Sequence, residues 1–203
     1  MTRIYITGCA KTGTTMVRRL FNAFDISVYN FDEITPKDFV KSSYGVGKRT
    51  ANAVFSHDMP PEQCERQLRM LHDANIWILN VWRDRDPTLA SDGGKVTPRR
   101  YDACMEQRKS YASAIAHEIK YEDLIADPDG EQQKVIEVFD LDAVFKWSDY
   151  PNFVDLEQES SHTHEGIYRP RPIGAPADPY RESLNPMQKH IYDFVERNLE
   201  AHK

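Results

Sequence analysis

Long hydrophobic runs are missing from this sequence of 203 residues. The longest apolar stretches, such as Ile76 to Leu79, are far shorter than the roughly 20 residues that a membrane-spanning helix needs. A secretion signal is missing as well, because no basic region followed by an apolar stretch and a small-residue cleavage site is present. We therefore expect a cytoplasmic protein that does not contact membranes.

Cysteine is scarce: Cys9, Cys64 and Cys104 are the three cysteines, and they are widely separated. An odd number at such spacing does not indicate a disulfide framework. We expect all three to be reduced and buried, where they behave as small hydrophobic residues.

An excess of basic residues is missing too. Lys and Arg together number 26 against 32 Asp and Glu, which gives a formal charge of −6. This balance argues against a general nucleic-acid binder, and we expect no nucleic-acid partner. A small anionic ligand is not excluded, because a few Lys and Arg side chains can converge locally in an acidic protein.

The sequence does contain an alternation of β-rich and helical segments. It predicts strands at Arg3 to Thr7, Ser27 to Tyr29, Ala53 to Ser56, Trp77 to Trp82 and Glu118 to Tyr121. It predicts helices that open at Thr14, at Pro60-Pro61 and at Pro98, and further amphipathic helices at Glu131 to Phe139 and Asn185 to Leu199. This order predicts a single domain over residues 1–203, a three-layer α/β fold with a central, mainly parallel sheet flanked by helices. The segments Asp32 to Thr50 and Pro151 to Arg181 fit no element.

A glycine-containing loop, Gly8 to Thr15, lies between the first strand and the first helix. Its two glycines allow the backbone to turn tightly and to direct N–H groups at an anion, while Thr14 and Thr15 add hydroxyl donors. A strand, loop and helix of this kind predict a phosphate site of the P-loop type. The loop differs from that of ATPases and GTPases, because Thr14 occupies the usual lysine position and the lysine is Lys11. That difference argues against a kinase.

The segment Lys11-Thr12-Gly13-Thr14-Thr15 resembles the phosphate loop of the PAPS-dependent sulfotransferases. In that family a Lys-Ser/Thr-Gly-Thr-Thr sequence holds the 5′-phosphosulfate of 3′-phosphoadenosine 5′-phosphosulfate, PAPS, whose desulfated product is PAP. The resemblance implies that all five residues bind the cofactor and that Lys11 also acts in catalysis on the leaving phosphate. Met16 replaces the aromatic residue that stacks on adenine in the cytosolic branch of the family.

A second resemblance concerns the 3′-phosphate of the cofactor. Arg83 closes a predicted strand and Ser91 follows eight residues later, as in the family's 3′-phosphate site. The segment Tyr121-Glu122-Asp123-Leu124 resembles a sulfotransferase segment that implies a position for Tyr121 near the adenine. A late loop with Arg169 and Arg171 is a further candidate for contact with this phosphate.

Two residues compete for the role of the catalytic base. His57, in Ser56-His57-Asp58-Met59-Pro60, resembles the catalytic histidine of the cytosolic branch, and an imidazole titrates near neutral pH. Glu33 corresponds in its distance from Lys11 to the catalytic glutamate of some polysaccharide sulfotransferases. We favour His57 and keep Glu33 as the alternative.

The expected activity is transfer of the sulfuryl group of PAPS to a hydroxyl or amine of a small-molecule or glycan acceptor. No metal is required in principle, because PAPS has no γ-phosphate that a magnesium ion must hold. The alternatives are a P-loop kinase of a small metabolite and a nucleotide-binding module without turnover.

Overall fold

The computed structural model describes residues 2–28, 33–49, 59–90 and 96–152. The strands in this part of the chain are β1 (Ile4–Gly8), β2 (Val46–Lys48), β3 (Trp77–Trp82) and β4 (His117–Lys120). They form one sheet in the order β2-β1-β3-β4, in which every neighbouring pair is parallel.

Helices connect the strands. In chain order they are α1 (Thr14–Leu20), α2 (Pro36–Lys41), α3 (Pro61–Asp73), α4 (Arg85–Ala90), α5 (Pro98–Ser110), α6 (Tyr121–Ala126) and α7 (Pro128–Phe139). Shorter 3₁₀ helices lie at Phe21–Ala23, Ala112–Ala114 and Trp147–Asn152. Helices α2, α3, α5 and α7 begin with proline, whose missing N–H costs nothing in the first helical turn.

Both faces of the sheet are covered, which makes the fold the predicted three-layer α/β arrangement. On one face, Ile6 and Leu79 pack with apolar residues of α1, α6 and α7. On the other face, Tyr5 and Ile78 pack with α2 and α3, and a separate apolar cluster lies at α5. Parallel strands covered on both sides bring their carboxyl ends to one edge, where ligands bind in folds of this class.

Most of the predicted elements within the described residues are confirmed. The strands β1, β3 and β4 match the prediction to within one residue at each boundary, and three helices begin at Thr14, Pro61 and Pro98 as predicted. No disulfide joins the three cysteines, and all three are buried, as expected. The predicted elements at Ala53 to Ser56 and Asn185 to Leu199 lie outside the described residues.

The predicted second strand, Ser27 to Tyr29, is described only as far as Val28, which forms an isolated parallel bridge with Val46. The strand that pairs with β1 on this side is Val46–Lys48, in a stretch for which the sequence predicts no element. Glycine and lysine have low strand propensity, so pairing with β1 and complete burial decide the conformation here. No helix among the described residues has the length and apolar character to cross a membrane.

Candidate functional site

The loop after β1 is held against the end of β3. A Cβ atom on Gly8 would lie 2.3 Å from the carbonyl oxygen of Val81, so only glycine allows this approach. The hydroxyl of Thr12 is buried and donates to the carbonyl oxygens of Cys9, at 2.7 Å, and Val81, at 3.0 Å. Within the predicted phosphate loop, Thr12 therefore fixes the shape of the backbone.

Two residues of the loop have left-handed backbone conformations. Lys11 has φ of 67° and lies exposed in the loop, and Gly13 has φ of 94° and caps the start of α1. Turns of this kind bring successive backbone N–H groups together into a concave anion site. The positive φ of a lysine is uncommon, and such conformations concentrate at ligand-binding positions.

A buried lysine from the neighbouring strand reaches the same loop. Lys48 ends β2, pairs in register with Ile6 of β1 and is 4% exposed. Its Nζ donates a hydrogen bond to Oγ1 of Thr15 at 2.7 Å. Burying an ammonium is costly unless it is paired and hydrogen-bonded, and the hydroxyl of Thr15 accepts one of the hydrogen bonds of Lys48.

Sequence reasoning missed Lys48. The residue lies in the stretch from Asp32 to Thr50, for which no element was predicted. Recognition of the strand would have pointed to Lys48. A lysine at the carboxyl end of a parallel strand lies at the edge of the sheet where ligands bind.

Glu33 lies at this site. Its Oε1 is 4.0 Å from Nζ of Lys48, and the side chain is 29% exposed. The adjacent Ile34 N–H donates to the carbonyl oxygen of Lys48 at 3.0 Å, which fixes the segment beside the end of β2. The structure therefore brings one of the two predicted bases next to Thr15 and Lys48.

The second predicted phosphate-binding residue, Arg83, directly follows β3. Its guanidinium lies over the ring of Tyr121, 4.6 Å from the centroid, and its Nε is 3.6 Å from Oε1 of Glu122. The hydroxyl of Tyr101 donates to the carbonyl oxygen of Arg83 at 2.6 Å. Contacts from α5 and α6 thus fix both the backbone and the side chain of Arg83.

Tyr121 joins the two predicted phosphate sites. A Cβ atom on Gly13 would lie 2.4 Å from the Tyr121 ring, and the guanidinium of Arg83 covers the same ring. Tyr121 is 6% exposed and Met16 is 8% exposed, both within the apolar core. The ring of Tyr121 therefore lies between the two sites, and Met16 offers little surface on which a base could stack.

Cys9 of the loop is a structural thiol. Its hydrogen bond with the thiol of Cys104 and its burial both raise the pKa of Cys9 above the ordinary value. Only a thiolate is strongly nucleophilic. Cys9 therefore packs the loop against α5, and its raised pKa disfavours the thiolate.

Four of the predicted site residues lie outside the described residues: His57, Ser91, Arg169 and Arg171. The structure describes the other predicted residues. Lys11 to Gly13 lie on the loop, and Thr14 and Thr15 lie on α1. Glu33 lies beside β2, Arg83 follows the end of β3, and Tyr121 begins α6. Comparison with protein-family models, with curated proteins and with solved structures gave no match for this chain.

Proposed function

We propose that this protein is a PAPS-dependent sulfotransferase, and the hydrogen bond between Lys48 and Thr15 carries the proposal. In P-loop enzymes that use nucleoside triphosphates, the threonine at this loop position binds the magnesium ion. In this chain its hydroxyl accepts from an ammonium at 2.7 Å. A fixed positive charge in the place of a metal ion suits a donor that needs no magnesium.

The arrangement around Tyr121 supports a donor with two separate phosphate groups. In the proposal, the loop from Lys11 to Thr15 holds the 5′-phosphosulfate, and Arg83 binds the 3′-phosphate through its planar guanidinium. Gly13 of the loop and the guanidinium of Arg83 both lie against the ring of Tyr121, which supports two neighbouring anion-binding groups. An adenosine with phosphate at both the 5′ and the 3′ position requires two such groups.

The chemical step needs two things from the protein. Charge that develops on the departing phosphate must be stabilised, and Lys11 and Lys48 bring positive charge to the loop for this purpose. The acceptor hydroxyl or amine must lose a proton, and His57 and Glu33 are the two side chains proposed to accept it. The acceptor itself is a small molecule or a glycan.

Thermal unfolding with PAP, adenosine 5′-phosphate and ATP, each with and without Mg²⁺, tests the proposal. A ligand at 100 times its dissociation constant adds roughly 2.7 kcal/mol to the free energy of unfolding. We expect PAP to stabilise the protein without Mg²⁺ and more strongly than the other two. Stronger stabilisation by Mg·ATP would favour the kinase, and PAP binding without transfer to any acceptor would favour the module without turnover.

Arg83→Ala separates the two phosphate sites in the same assay. We expect it to weaken PAP binding at least tenfold and to leave binding of adenosine 5′-phosphate unchanged. Arg85→Ala is the matched control, because Arg85 lies on the same turn but pairs with Asp102 at 3.2 Å. An equal loss for both nucleotides in Arg83→Ala would refute a 3′-phosphate role for Arg83.

A further inference from the structure

The turn between β3 and α4 is held by contacts with β4, α5 and α6. It consists of Arg83 and Asp84, which follow β3 and precede α4. The carbonyl oxygen of Asp84 accepts from the N–H of Thr88 at 3.1 Å and from its hydroxyl at 2.8 Å. Nζ of Lys120 lies 3.0 Å from Oδ2 of Asp84. The second residue of the turn is therefore fixed to both α4 and β4.

One peptide group of this turn is hydrogen-bonded on both sides. Its carbonyl oxygen belongs to Arg83 and accepts from the hydroxyl of Tyr101 at 2.6 Å. Its N–H belongs to Asp84 and donates to both carboxylate oxygens of Glu122, each at 3.4 Å. A peptide group is planar, and its C=O and N–H point in opposite directions, so contacts on both sides fix the orientation of the plane. Tyr101 and Glu122 thus set the course of the chain where it leaves β3.

The same carboxylate approaches the side chain of Arg83. Nε of Arg83 is 3.6 Å from Oε1 of Glu122, which is too long for a hydrogen bond, and this buried Nε donates to no described residue. The guanidinium also lies over the ring of Tyr121. The side chain of Arg83 is nevertheless 23% exposed. The ring and the carboxylate therefore hold the guanidinium without closing it to a ligand.

Tyr101 has two parts with separate contacts. Its ring is 6% exposed and packs in a cluster with Cys9 and Cys104. Because Cys9 belongs to the loop after β1, the ring supports that loop, whereas the hydroxyl reaches the turn after β3. Loss of the hydroxyl alone should therefore affect the turn and leave the loop in place.

Glu122 affects an anion at Arg83 in two opposite ways. Its negative charge weakens the attraction of Arg83 for an anion, whereas its contacts with the turn reduce the cost of ordering a long side chain on binding. The ion pairs of the turn join two cations, Arg83 and Lys120, to two carboxylates, Glu122 and Asp84. With no excess of positive charge among these four residues, preference for a phosphate should depend on a guanidinium held in place.

We propose that Tyr101 and Glu122 are positioning residues that give the protein its preference for a nucleotide with a 3′-phosphate. Neither side chain has to touch the nucleotide, because both act through the peptide group between Arg83 and Asp84. Binding groups are most effective when the residues behind them fix their geometry. The inference rests on the proposed function, which assigns the 3′-phosphate to Arg83, and it names the residues that determine how strongly this phosphate is selected.

Tyr101→Phe removes the hydroxyl and keeps the ring. Calorimetry measures the affinities for PAP and for adenosine 5′-phosphate, both without Mg²⁺. We expect the PAP affinity to fall about fivefold and the affinity for adenosine 5′-phosphate to stay the same. Tyr111→Phe is the matched control, because the hydroxyl of Tyr111 donates to the carbonyl oxygen of Pro61 at 3.5 Å and not to the turn. An equal loss for both nucleotides in Tyr101→Phe would show a general structural role and refute positioning by Tyr101.

Two variants of Glu122 separate its contacts from its charge. Glu122→Ala removes the acceptor, and we expect PAP affinity to fall about fivefold with no change for adenosine 5′-phosphate. Glu122→Gln keeps an oxygen that can accept from the N–H of Asp84, so its loss should be smaller. Asp102→Ala is the control, because this carboxylate pairs with Arg85 at 3.2 Å, and both affinities should stay the same. A higher PAP affinity in both Glu122 variants would mean that the carboxylate only neutralises Arg83, which refutes positioning by Glu122.

The outcomes separate this inference from the proposed function. If the native chain prefers PAP and Arg83→Ala removes that preference, an unchanged preference in Tyr101→Phe and in both Glu122 variants refutes the positioning role alone. If PAP binding follows the expected pattern but no acceptor is sulfated, the sulfotransferase is refuted and the positioning role stands. A native chain that binds PAP no better than adenosine 5′-phosphate refutes the 3′-phosphate site and this inference together.

Discussion

Nζ of Lys48 and Oγ1 of Thr15 lie 2.7 Å apart, which joins the last residue of β2 to the first turn of α1. The contact brings a buried positive charge to a loop that already carries Lys11. In the proposed function, the exposed Lys11 attracts the anionic donor and the buried Lys48 contributes to holding it in the site.

Lys48→Met tests whether the buried ammonium takes part in anion binding. The substitution removes one partner of the Lys48–Glu33 ion pair, so we expect a lower melting temperature. The affinities for PAP and adenosine 5′-phosphate should both fall by at least tenfold, about 1.4 kcal/mol, as measured by calorimetry. Lys41→Met is the control, because it changes an exposed lysine of α2 and should leave both affinities unchanged. An unchanged PAP affinity in Lys48→Met would exclude Lys48 from the proposed anion site.

Glu33→Gln and His57→Ala distinguish the two proposed bases. Loss of a general base slows the chemical step about a hundredfold or more, and PAP affinity should remain nearly constant because the base faces the acceptor. We expect the larger loss in single-turnover rate for His57→Ala. If His57→Ala keeps a normal single-turnover rate and Glu33→Gln abolishes it, the base is the carboxylate near Lys48. Lys11→Ala is the contrasting variant, because it should impair both turnover and PAP binding.

Gly13→Ala should disturb both proposed phosphate sites at once. The new methyl group would lie 2.4 Å from the Tyr121 ring, at a backbone position with φ of 94°. We expect a loss of about 1–2 kcal/mol from the backbone conformation and a further loss from displacement of the ring. Chemical denaturation of Gly13→Ala, Tyr121→Leu and the double variant measures the coupling energy between positions 13 and 121. If the losses in the free energy of unfolding are strictly additive, the contact between the new methyl group and the ring contributes nothing.

Stability should fall as the pH drops below about 6.5, partly because of His117. Burial lowers the pKa of this imidazole, and its Nε2 has no hydrogen-bond partner among the described residues. As the pH falls, His117 becomes protonated in the unfolded chain at a higher pH than in the folded chain. Acid therefore shifts the equilibrium towards unfolding. The carboxylate of Glu118 has a lowered pKa and adds its own loss only at lower pH.

Melting temperatures of the native chain and of His117→Leu between pH 7.5 and 5.5 check this expectation. The native chain should lose a few degrees more over that interval than the variant. His72→Gln is the control, because the side chain of His72 is 89% exposed. An identical decline in the native chain and in His117→Leu would contradict the assignment.

The sequence was informative where a segment carries its own pattern. Three local signals correspond to features of the structure. The apolar run marks the strand β3, the glycines mark the loop after β1, and Arg83 marks the carboxyl end of β3. Lys48 has no such signal, because its strand is three residues long, contains glycine and is held by β1. Likewise, the contact of Tyr121 with Gly13 joins distant parts of the chain and could not be derived from either segment alone.

The position of β1 inside the sheet has a consequence for synthesis on the ribosome. Ile4 pairs with both Val46 and Trp77, so β1 emerges from the ribosome well before either of its neighbours. Until β3 has been translated, the side chains of Ile4, Tyr5 and Ile6, which are 0% exposed in the folded protein, have no sheet to join. A nascent chain with an unpaired apolar strand is prone to aggregation and is a natural client of chaperones. For this protein, the amount of soluble product in a cell should therefore depend on chaperone supply during translation.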